Sequence, residues 1–282
     1  MLPNLIIIGA QKCGTSALHH YLQCHPDISM STEKELNFFI EHRNWRNGVA
    51  WYESWFTGDA RVHGEASPNY TNYPAVKGVP QRMHAIVPDA KLIYMVRHPV
   101  ERIVSHYMHN RWSGLETRSI TEALRGTDDG PAEESRYIRR SKYFMQVAQF
   151  LEFFPQSNIF ITTQEELFKR RSETLGAVFR FLGIDDTFQS EAFSTLVHES
   201  GEKKARNRLG LAFARGSERG ILRRLPSVLR RPLEGAVRLL TTSRVERPVL
   251  DDRLRRQLID ILTEDIEQFR RFAGRPFPEW SS

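Results

Sequence analysis

A short loop near the amino end of the chain contains the residue types that hold a phosphate group. The apolar run 5–8 ends at Gly9, and a helical pattern begins at Ala17. A strand, a glycine-containing loop and a helix in this order bring backbone N–H groups and a helix N-terminus to one anion. The sequence therefore predicts a phosphate-binding loop whose members are Gln11, Lys12, Cys13, Gly14, Thr15 and Ser16.

The position of the lysine in this loop indicates which phosphate compounds it suits. Loops for nucleoside triphosphates follow the pattern G-x-x-x-x-G-K-[ST], and their lysine and a Mg²⁺ ion neutralise the triphosphate. The glycines and the final hydroxyl of that pattern are present as Gly9, Gly14 and Ser16. However, Thr15 occupies the lysine position, and Lys12 lies three residues earlier. The ends of the later apolar runs offer Arg97 and Gln164, which are not acidic metal ligands. The loop therefore favours a single phosphate or a diester over Mg-ATP.

A second candidate anion site follows the apolar run Lys91–Val96. Arg97 comes directly after this run, and Ser105 lies eight residues later on an expected helix. Open α/β sheets bind ligands at the carboxyl ends of their strands. An arginine fork and a hydroxyl can clamp a second phosphate there. Taken alone, an arginine after a strand is more often a surface residue.

Apolar runs alternate with helical patterns along the chain. This alternation predicts an α/β, three-layer fold of the P-loop type, with a central, mostly parallel sheet flanked by helices. The expected strands are 5–9, 61–65, 91–96 and 158–163, and the main expected helices are 79–87, 99–107, 143–154, 173–182 and 251–272, with a helix followed by a loop over 117–129. No linker marks a boundary, so we expect a single domain over 1–282, with 199–235 as a basic lid.

The charge of the chain indicates anionic ligands. The formal net charge is +6 and the pI is about 9.4. Much of the excess lies in 203–231, where Glu218 is the only acidic residue. A solvated lid explains this stretch, and peripheral contact of 215–231 with a membrane is the alternative. Aromatic residues are not interleaved with it, so we expect no nucleic-acid partner.

Cysteine and histidine usage sets further expectations. The two cysteines, Cys13 and Cys24, argue against a disulfide scaffold and against a cysteine-based metal site. No histidine pair shows metal-ligand spacing, so no metal is expected. No apolar run reaches the roughly 20 residues needed to span a bilayer, and no signal peptide is recognisable. We therefore expect a cytoplasmic location.

Three segments together resemble the sulfotransferases that use 3′-phosphoadenosine 5′-phosphosulfate. They are the loop 9–16, the run ending in Arg97 and Ser105, and the segment 34–39 with the sequence Lys-Glu-Leu-Asn-Phe-Phe. Within that family, the chain is most similar to the branch with the heparan sulfate N- and 3-O-sulfotransferase domains and their bacterial relatives. The resemblance extends from about residue 5 to residue 280. It implies metal-free transfer of a sulfuryl group to a hydroxyl or amine of a carbohydrate, glycolipid or small-metabolite acceptor, with adenosine 3′,5′-bisphosphate as product.

The resemblance also implies roles for individual residues. Loop residues 11–16 would bind the 5′-phosphosulfate, with Lys12 on the bridging oxygen. Arg97 and Ser105 would hold the 3′-phosphate. The basic residues Lys204 and Arg206 would close over the nucleotide. Glu35 would be the general base; spacing alone favours a solvated charge before two core aromatic residues, and the motif context favours the catalytic role.

Three further residues are weaker candidates for contact with the acceptor. Glu65 is a fallback base, or else a buried structural hydrogen-bond acceptor. Ala66 follows it, where the glycosaminoglycan enzymes often carry a lysine. Arg140 and Tyr143 could line the acceptor cleft; in the alternative interpretation, Ser141 simply caps the following helix.

Two other function classes stay open at this point. One is a P-loop kinase or nucleotide-binding protein that uses Mg-ATP, which the threonine in the lysine position disfavours. The other is a non-enzymatic protein that binds anions or membranes through its basic stretch. Such a protein would show strongly salt-dependent binding that survives loss of Lys12.

Overall fold

The structure is a computed structural model, and it describes residues 1–125, 132, 135–195 and 246–280, together with the backbone of 204–206 and 242–244. Five strands form the central sheet: β1 Leu5–Gly9, β2 Ile28–Met30, β3 Val62–Ala66, β4 Lys91–Val96 and β5 Ile159–Thr163. Their order is β2-β3-β1-β4-β5, and every neighbouring pair is parallel. Strands β1 and β3 are buried along their whole length. Continuous burial of this kind is typical of a sheet covered on both faces.

Ten α-helices are described. They are α1 Thr15–Leu22, α2 Gly48–Glu53, α3 Val79–Ile86, α4 Pro99–Trp112, α5 Ile120–Leu124, α6 Arg136–Arg139, α7 Tyr143–Leu151, α8 Gln164–Lys169, α9 Arg171–Leu182 and α10 Asp252–Ala273. None of them combines the length and the apolar character needed to cross a membrane. A second, two-stranded antiparallel sheet joins β6 Lys204–Arg206 to β7 Thr242–Arg244.

Helices cover both faces of the central sheet. On one face α1 packs on β1, β2 and β3, and His25 after α1 contacts Phe179 of α9 with ring centroids 4.6 Å apart. On the other face α10 packs on α7, and Tyr94 of β4 contacts Phe269 of α10 at 6.2 Å. Connections between parallel strands are normally right-handed, so connections that run in opposite directions along the sheet place their helices on opposite faces. The predicted three-layer α/β fold is therefore confirmed.

The chain leaves β1 and β4 in opposite directions along the sheet. β1 continues through α1 to the edge strand β2, whereas β4 continues through α4 and α7 to the other edge strand, β5. Two adjacent strands with diverging connections open a crevice beyond their carboxyl ends. The loop after β1 and the arginine after β4 are placed side by side at this crevice.

Some predicted elements differ from the structure. β2 was not predicted, because its three residues are too few to show a periodic pattern. Within the helix and loop expected over 117–129, the helix is α5, which begins with a capping box of Ser119 and Glu122, and residues 126–129 lie outside the described part of the chain. The predicted lid over 199–235 and the proposed membrane segment 215–231 lie outside the described residues, except for the backbone of β6.

Candidate functional site

The loop between β1 and α1 is shaped by two glycines. A Cβ atom at Gly9 would lie 2.0 Å from Oγ1 of Thr71, so only glycine allows this approach. Gly14 is the N-cap of α1 and has φ 92°, in the left-handed region that favours glycine. No backbone carbonyl among the described residues accepts from the N–H groups of Gly14, Thr15 or Ser16. These amides lie at the start of a helix and are available to an anion.

The two predicted anion sites contact each other directly. Nη1 of Arg97, at the end of β4, donates to the carbonyl oxygen of Lys12 at 3.4 Å. The hydroxyl of Tyr143 donates to the carbonyl of Arg97 at 2.9 Å and lies 3.6 Å from Sγ of Cys13. Tyr143 is buried, at 1% exposure. Its hydroxyl connects the phosphate-binding loop to the end of β4 from the interior of the protein. The structure thus places Tyr143 beneath the crevice rather than along a cleft for the acceptor.

Positive charge gathers around this crevice. Arg97, Arg102 and Arg140 form no ion pair among the described residues. Arg102 is fully buried and donates to the hydroxyl of Ser141 at 2.5 Å and to the carbonyl of Tyr137 at 2.6 Å. Burial and the charge of Arg102 lower the pKa of Arg140 to about 9. Buried charges without counterions are unfavourable, so this region favours an anionic ligand.

Several buried polar atoms at the crevice have no hydrogen-bond partner among the described residues. They include Oε1 of Gln11, Nε of Arg97 and Nε of Arg140. Buried polar atoms are normally paired, and each exception calls for an explanation such as a ligand or a water molecule. The two arginine nitrogens, together with the loop amides, are donors and fit an anionic ligand with several oxygen atoms. Oε1 of Gln11 is an acceptor and instead requires a donor such as a hydroxyl group or a water molecule. The described residues contain no group of three or more His, Cys, Asp or Glu side chains suited to a metal ion.

Glu35 lies on a loop whose backbone is tightly held. Its N–H donates to the carbonyl of Ala66 at 2.9 Å, and its own φ is 65°. The side chain is 45% exposed, and Oε1 is 3.5 Å from Nζ of Lys34. The charge of Glu35 also raises the pKa of Arg140, so its carboxylate lies within electrostatic reach of the cationic crevice. An accessible carboxylate on a fixed backbone can accept a proton from a bound hydroxyl or amine.

Glu65 is fully buried beneath this loop. Its carboxylate accepts hydrogen bonds from the hydroxyls of Tyr52 at 2.7 Å, Tyr70 at 2.7 Å and Ser67 at 2.6 Å. Burial raises the pKa of Glu65, and the three hydroxyl bonds oppose that effect. Of the two roles that the sequence left open, these contacts support the structural one.

The start of α7 differs from the capping that the sequence suggested. Ser141 does not cap the helix; its hydroxyl donates to the carbonyl of Pro99 at 3.1 Å. Instead, the carboxylate of Asp265 on α10 accepts from the N–H groups of Phe144 at 3.0 Å and Met145 at 2.8 Å. Burial raises the pKa of Asp265 to about 6. The position of Tyr143 therefore depends on a contact between α7 and α10, which are far apart in the sequence.

The comparison with protein families decides which family the chain belongs to. The sequence model of the sulfotransferase domain matches residues 2–209, which is more than half of the chain. The chain belongs to the sulfotransferase family. The resemblance that the loop, Arg97 and the segment 34–39 indicated is thus confirmed.

The sequence of this sulfotransferase is similar to those of heparan sulfate sulfotransferases. It is 32% identical over 187 residues to heparan sulfate glucosamine 3-O-sulfotransferase 6 of Homo sapiens, covering 64% of this chain and 52% of the relative. It is 30% identical over 200 residues to bifunctional heparan sulfate N-deacetylase/N-sulfotransferase 2 of Bos taurus, covering 65% of this chain and 22% of the relative. The matches thus span about half of the first relative and about a fifth of the second.

A solved structure supports the fold of this sulfotransferase. The crystal structure of a sulfotransferase from Alicyclobacillus acidocaldarius matches it with a TM-score of 0.70 and 24% identity, covering 100% of both chains. At this level of identity the likeness concerns the fold.

The remaining predicted residues are placed as follows. Ser105 is half-buried on α4, two turns after Arg97, on the helix that begins at the crevice. Lys204 and Arg206 lie on β6, which is near α4, while their side chains lie outside the described part of the chain.

The sequence did not indicate Asn37 and Asn69, which join Glu35 to Arg140. No spacing signal could have found them, since these contacts cross 32 and 71 positions.

The thiol of Cys13 should be inert in the folded protein. Cys13 is fully buried, and burial raises its pKa to about 11. Since the thiolate is the reactive form, almost none is present at pH 8. We expect DTNB at pH 8 to modify only the partly exposed Cys24, and to reach Cys13 after denaturation. The Cys24→Ser variant is the control and should show no reactive thiol when folded. Labelling of native Cys13, detected by mass spectrometry, would contradict its burial.

Proposed function

We propose that this sulfotransferase moves a sulfuryl group from 3′-phosphoadenosine 5′-phosphosulfate to a hydroxyl or amine of an acceptor. The observation that supports this proposal is the direct contact between the two anion sites, from Nη1 of Arg97 to the carbonyl of Lys12. A donor with phosphate groups at both its 3′ and 5′ positions needs two such sites side by side. The Mg-ATP alternative lacks this support and also lacks the motif lysine.

In this proposal, each donor group is held by particular residues of the crevice. The amides and side chains of the loop from Gln11 to Ser16 would hold the 5′-phosphosulfate. Lys12 would lie at the oxygen that bridges phosphorus and sulfur, where negative charge develops as the bond to sulfur breaks. Arg97 and Ser105 would hold the 3′-phosphate, and Lys204 and Arg206 would cover the nucleotide. No metal ion takes part in this scheme.

Glu35 would supply the base. It accepts the proton of the acceptor hydroxyl or amine as that atom attacks sulfur in line with the bridging oxygen. The new bond forms between the acceptor atom and sulfur. The bond between sulfur and the bridging oxygen breaks, and the electron pair leaves with adenosine 3′,5′-bisphosphate. The accessible carboxylate and the fixed backbone of Glu35 suit this step.

The relatives point to a saccharide acceptor. The names of both relatives refer to sulfation of heparan sulfate, one at a 3-hydroxyl and the other at nitrogen. We therefore propose a carbohydrate or glycolipid acceptor first and a small metabolite second. A cytoplasmic location, the absence of a nucleic-acid partner and membrane contact through 215–231 stay predictions from the sequence.

Titration calorimetry with adenosine 3′,5′-bisphosphate tests the donor site. We expect binding that does not require metal, and we expect Arg97→Ala to weaken it by about 10- to 100-fold, because a hydrogen bond to a charged group contributes about 1.5–3 kcal/mol. Arg61→Ala removes an exposed arginine next to β3, at the opposite end of the sheet, and is the matched control.

Three outcomes distinguish the candidate functions. Binding of the bisphosphate with chelator present, weakened by about 10- to 100-fold in Arg97→Ala, supports the proposed donor. Binding of Mg-ATP alone would contradict the proposal in favour of a kinase. Binding of neither compound would indicate a non-enzymatic role. The acceptor is then sought by measuring bisphosphate release with N-sulfated heparosan, chitosan oligosaccharides and simple phenols.

A further inference from the structure

We infer that Asn69 positions the catalytic base, because it connects Arg140 to the backbone of Glu35 through Asn37. This inference rests on the proposed function of Glu35. The connection consists of three consecutive hydrogen bonds across three separate segments of the chain. We call this set of bonds the amide relay.

The first bond of the amide relay fixes the orientation of the Asn69 side chain. Nη2 of Arg140 donates to Oδ1 of Asn69 at 3.0 Å and also faces the carbonyl of Pro68 at 3.4 Å. A guanidinium group can only donate hydrogen bonds. Oδ1 of Asn69 must therefore face Arg140, and its Nδ2 must point the other way.

The next two bonds follow from this orientation. Nδ2 of Asn69 donates to Oδ1 of Asn37 at 3.4 Å. Nδ2 of Asn37 is thereby turned towards the carbonyl of Glu35, to which it donates at 2.5 Å. Each amide accepts on one side and donates on the other. A change at Asn69 therefore alters the bond at Glu35 without touching that residue.

The backbone at the end of the amide relay needs such support. Glu35 and Asn37 have φ 65° and 48°, in the left-handed region that is unfavourable for residues other than glycine. The N–H of Asn37 donates to Oγ of Ser67 at 2.9 Å, and that hydroxyl donates to the buried carboxylate of Glu65. The relay and the Ser67 bond hold opposite ends of the same strained turn. The side chain of Glu35 is meanwhile 45% exposed.

The start of the amide relay is itself rigid. Arg140 is buried, at 8% exposure, and follows α6 directly. It lies within electrostatic reach of Cys13 in the phosphate loop as well as of Glu35. The relay therefore ties the position of the base to the donor side of the crevice. A general base must be placed within hydrogen-bond reach of the proton that it removes, and small displacements lower the rate strongly.

Asn69→Asp is the decisive variant. An aspartate at this position still accepts from Arg140, as an ion pair, but it cannot donate to Asn37. The relay predicts that kcat for transfer from the phosphosulfate donor to N-sulfated heparosan falls by about 10- to 100-fold, nearly as far as in Asn69→Ala. Affinity for adenosine 3′,5′-bisphosphate should fall far less than kcat, because Arg97, Ser105 and the loop that would hold the bisphosphate are unchanged. If Asn69 merely holds Arg140, Asn69→Asp should keep wild-type kcat, and this result would overturn the inference.

A matched control and a double variant show whether the loss of kcat is specific to the amide relay. Asn4→Asp makes the same chemical change at an amide that bridges the carbonyl of Arg61 and the N–H of His63, at the amino end of the sheet. We expect no change in kcat there. In a Glu35→Gln background, Asn69→Asp should cause no further loss, because residues that act as a unit are not additive. Additive losses in the double variant would overturn the inference.

Hydrogen exchange separates failure of the relay from failure of the proposed function. Asn69→Asp should increase amide exchange at Glu35 and Asn37, whereas Asn4→Asp should not. Unchanged exchange at both amides would overturn the relay, whatever the activity. If wild-type protein transfers no sulfuryl group to any acceptor while exchange changes as expected, the relay stands and the assignment of Glu35 as a base fails.

Discussion

Replacing Glu35 with glutamine is expected to lower kcat for sulfuryl transfer by about 10²- to 10⁴-fold, the usual contribution of a positioned general base. Glutamine keeps the size of the side chain but cannot accept the proton from the acceptor. Because the side chain of Glu35 is 45% exposed and does not belong to the groups proposed to hold the bisphosphate, affinity for adenosine 3′,5′-bisphosphate should stay at the wild-type level. Calorimetry and a bisphosphate-release assay measure the two quantities on the same preparation.

Glu33→Gln is the matched control for this prediction. Glu33 is an exposed carboxylate two residues earlier on the same segment, and its loss should leave kcat unchanged. Turnover near the wild-type rate in Glu35→Gln would remove Glu35 from the mechanism. Equal losses in both variants would mean that the charge of the segment, rather than proton transfer, is what matters.

Replacing Lys12 with glutamine is expected to lower kcat by about 10²- to 10³-fold, the size of effect found when one stabilising donor is removed from a site of developing charge. Lys12 would stabilise the phosphate group as its bond to sulfur breaks. Its effect should therefore be larger on kcat than on affinity for the bisphosphate product. The backbone of Lys12 stays anchored by Arg97, whose bond goes to the carbonyl and not to the side chain.

Lys77→Gln provides the comparison, since Lys77 is exposed and lies before α3, away from the loop. It should have wild-type kcat. If Lys12→Gln loses bisphosphate affinity and kcat by the same factor, Lys12 acts in ground-state binding only. A variant with unchanged kcat would mean that the displaced lysine of the loop takes no part in the chemistry.

The strands that build the crevice were predictable because each is an unbroken apolar run in a sheet covered on both faces. β1 and β4 have this character, and the residues that follow them could be assigned to the site from order alone. β2 could not be found, since three residues carry no periodicity and pair with β3 only once the sheet exists. The parallel sheet itself follows from the alternation of strands and helices.

The side chains around the crevice were less predictable than its backbone. Tyr143 was expected at the acceptor cleft, but its hydroxyl bridges Cys13 and Arg97 from beneath. Local sequence suggested a serine cap for α7, whereas Asp265 supplies that cap from a helix 120 positions away. Such contacts depend on how helices pack on the finished sheet. Local spacing therefore identified which segments meet, but not which atoms pair.

The two proposed catalytic residues share an unfavourable backbone conformation, and this has a thermodynamic consequence. Lys12 has φ 72° and Glu35 has φ 65°. A residue other than glycine in this region costs about 1–3 kcal/mol, a substantial fraction of the roughly 5–15 kcal/mol that stabilises a folded domain. Glycine would be the more stable choice at both positions, yet it would remove the ammonium and the carboxylate. The sequence at these two positions thus represents a compromise in which conformational stability is given up for reactivity.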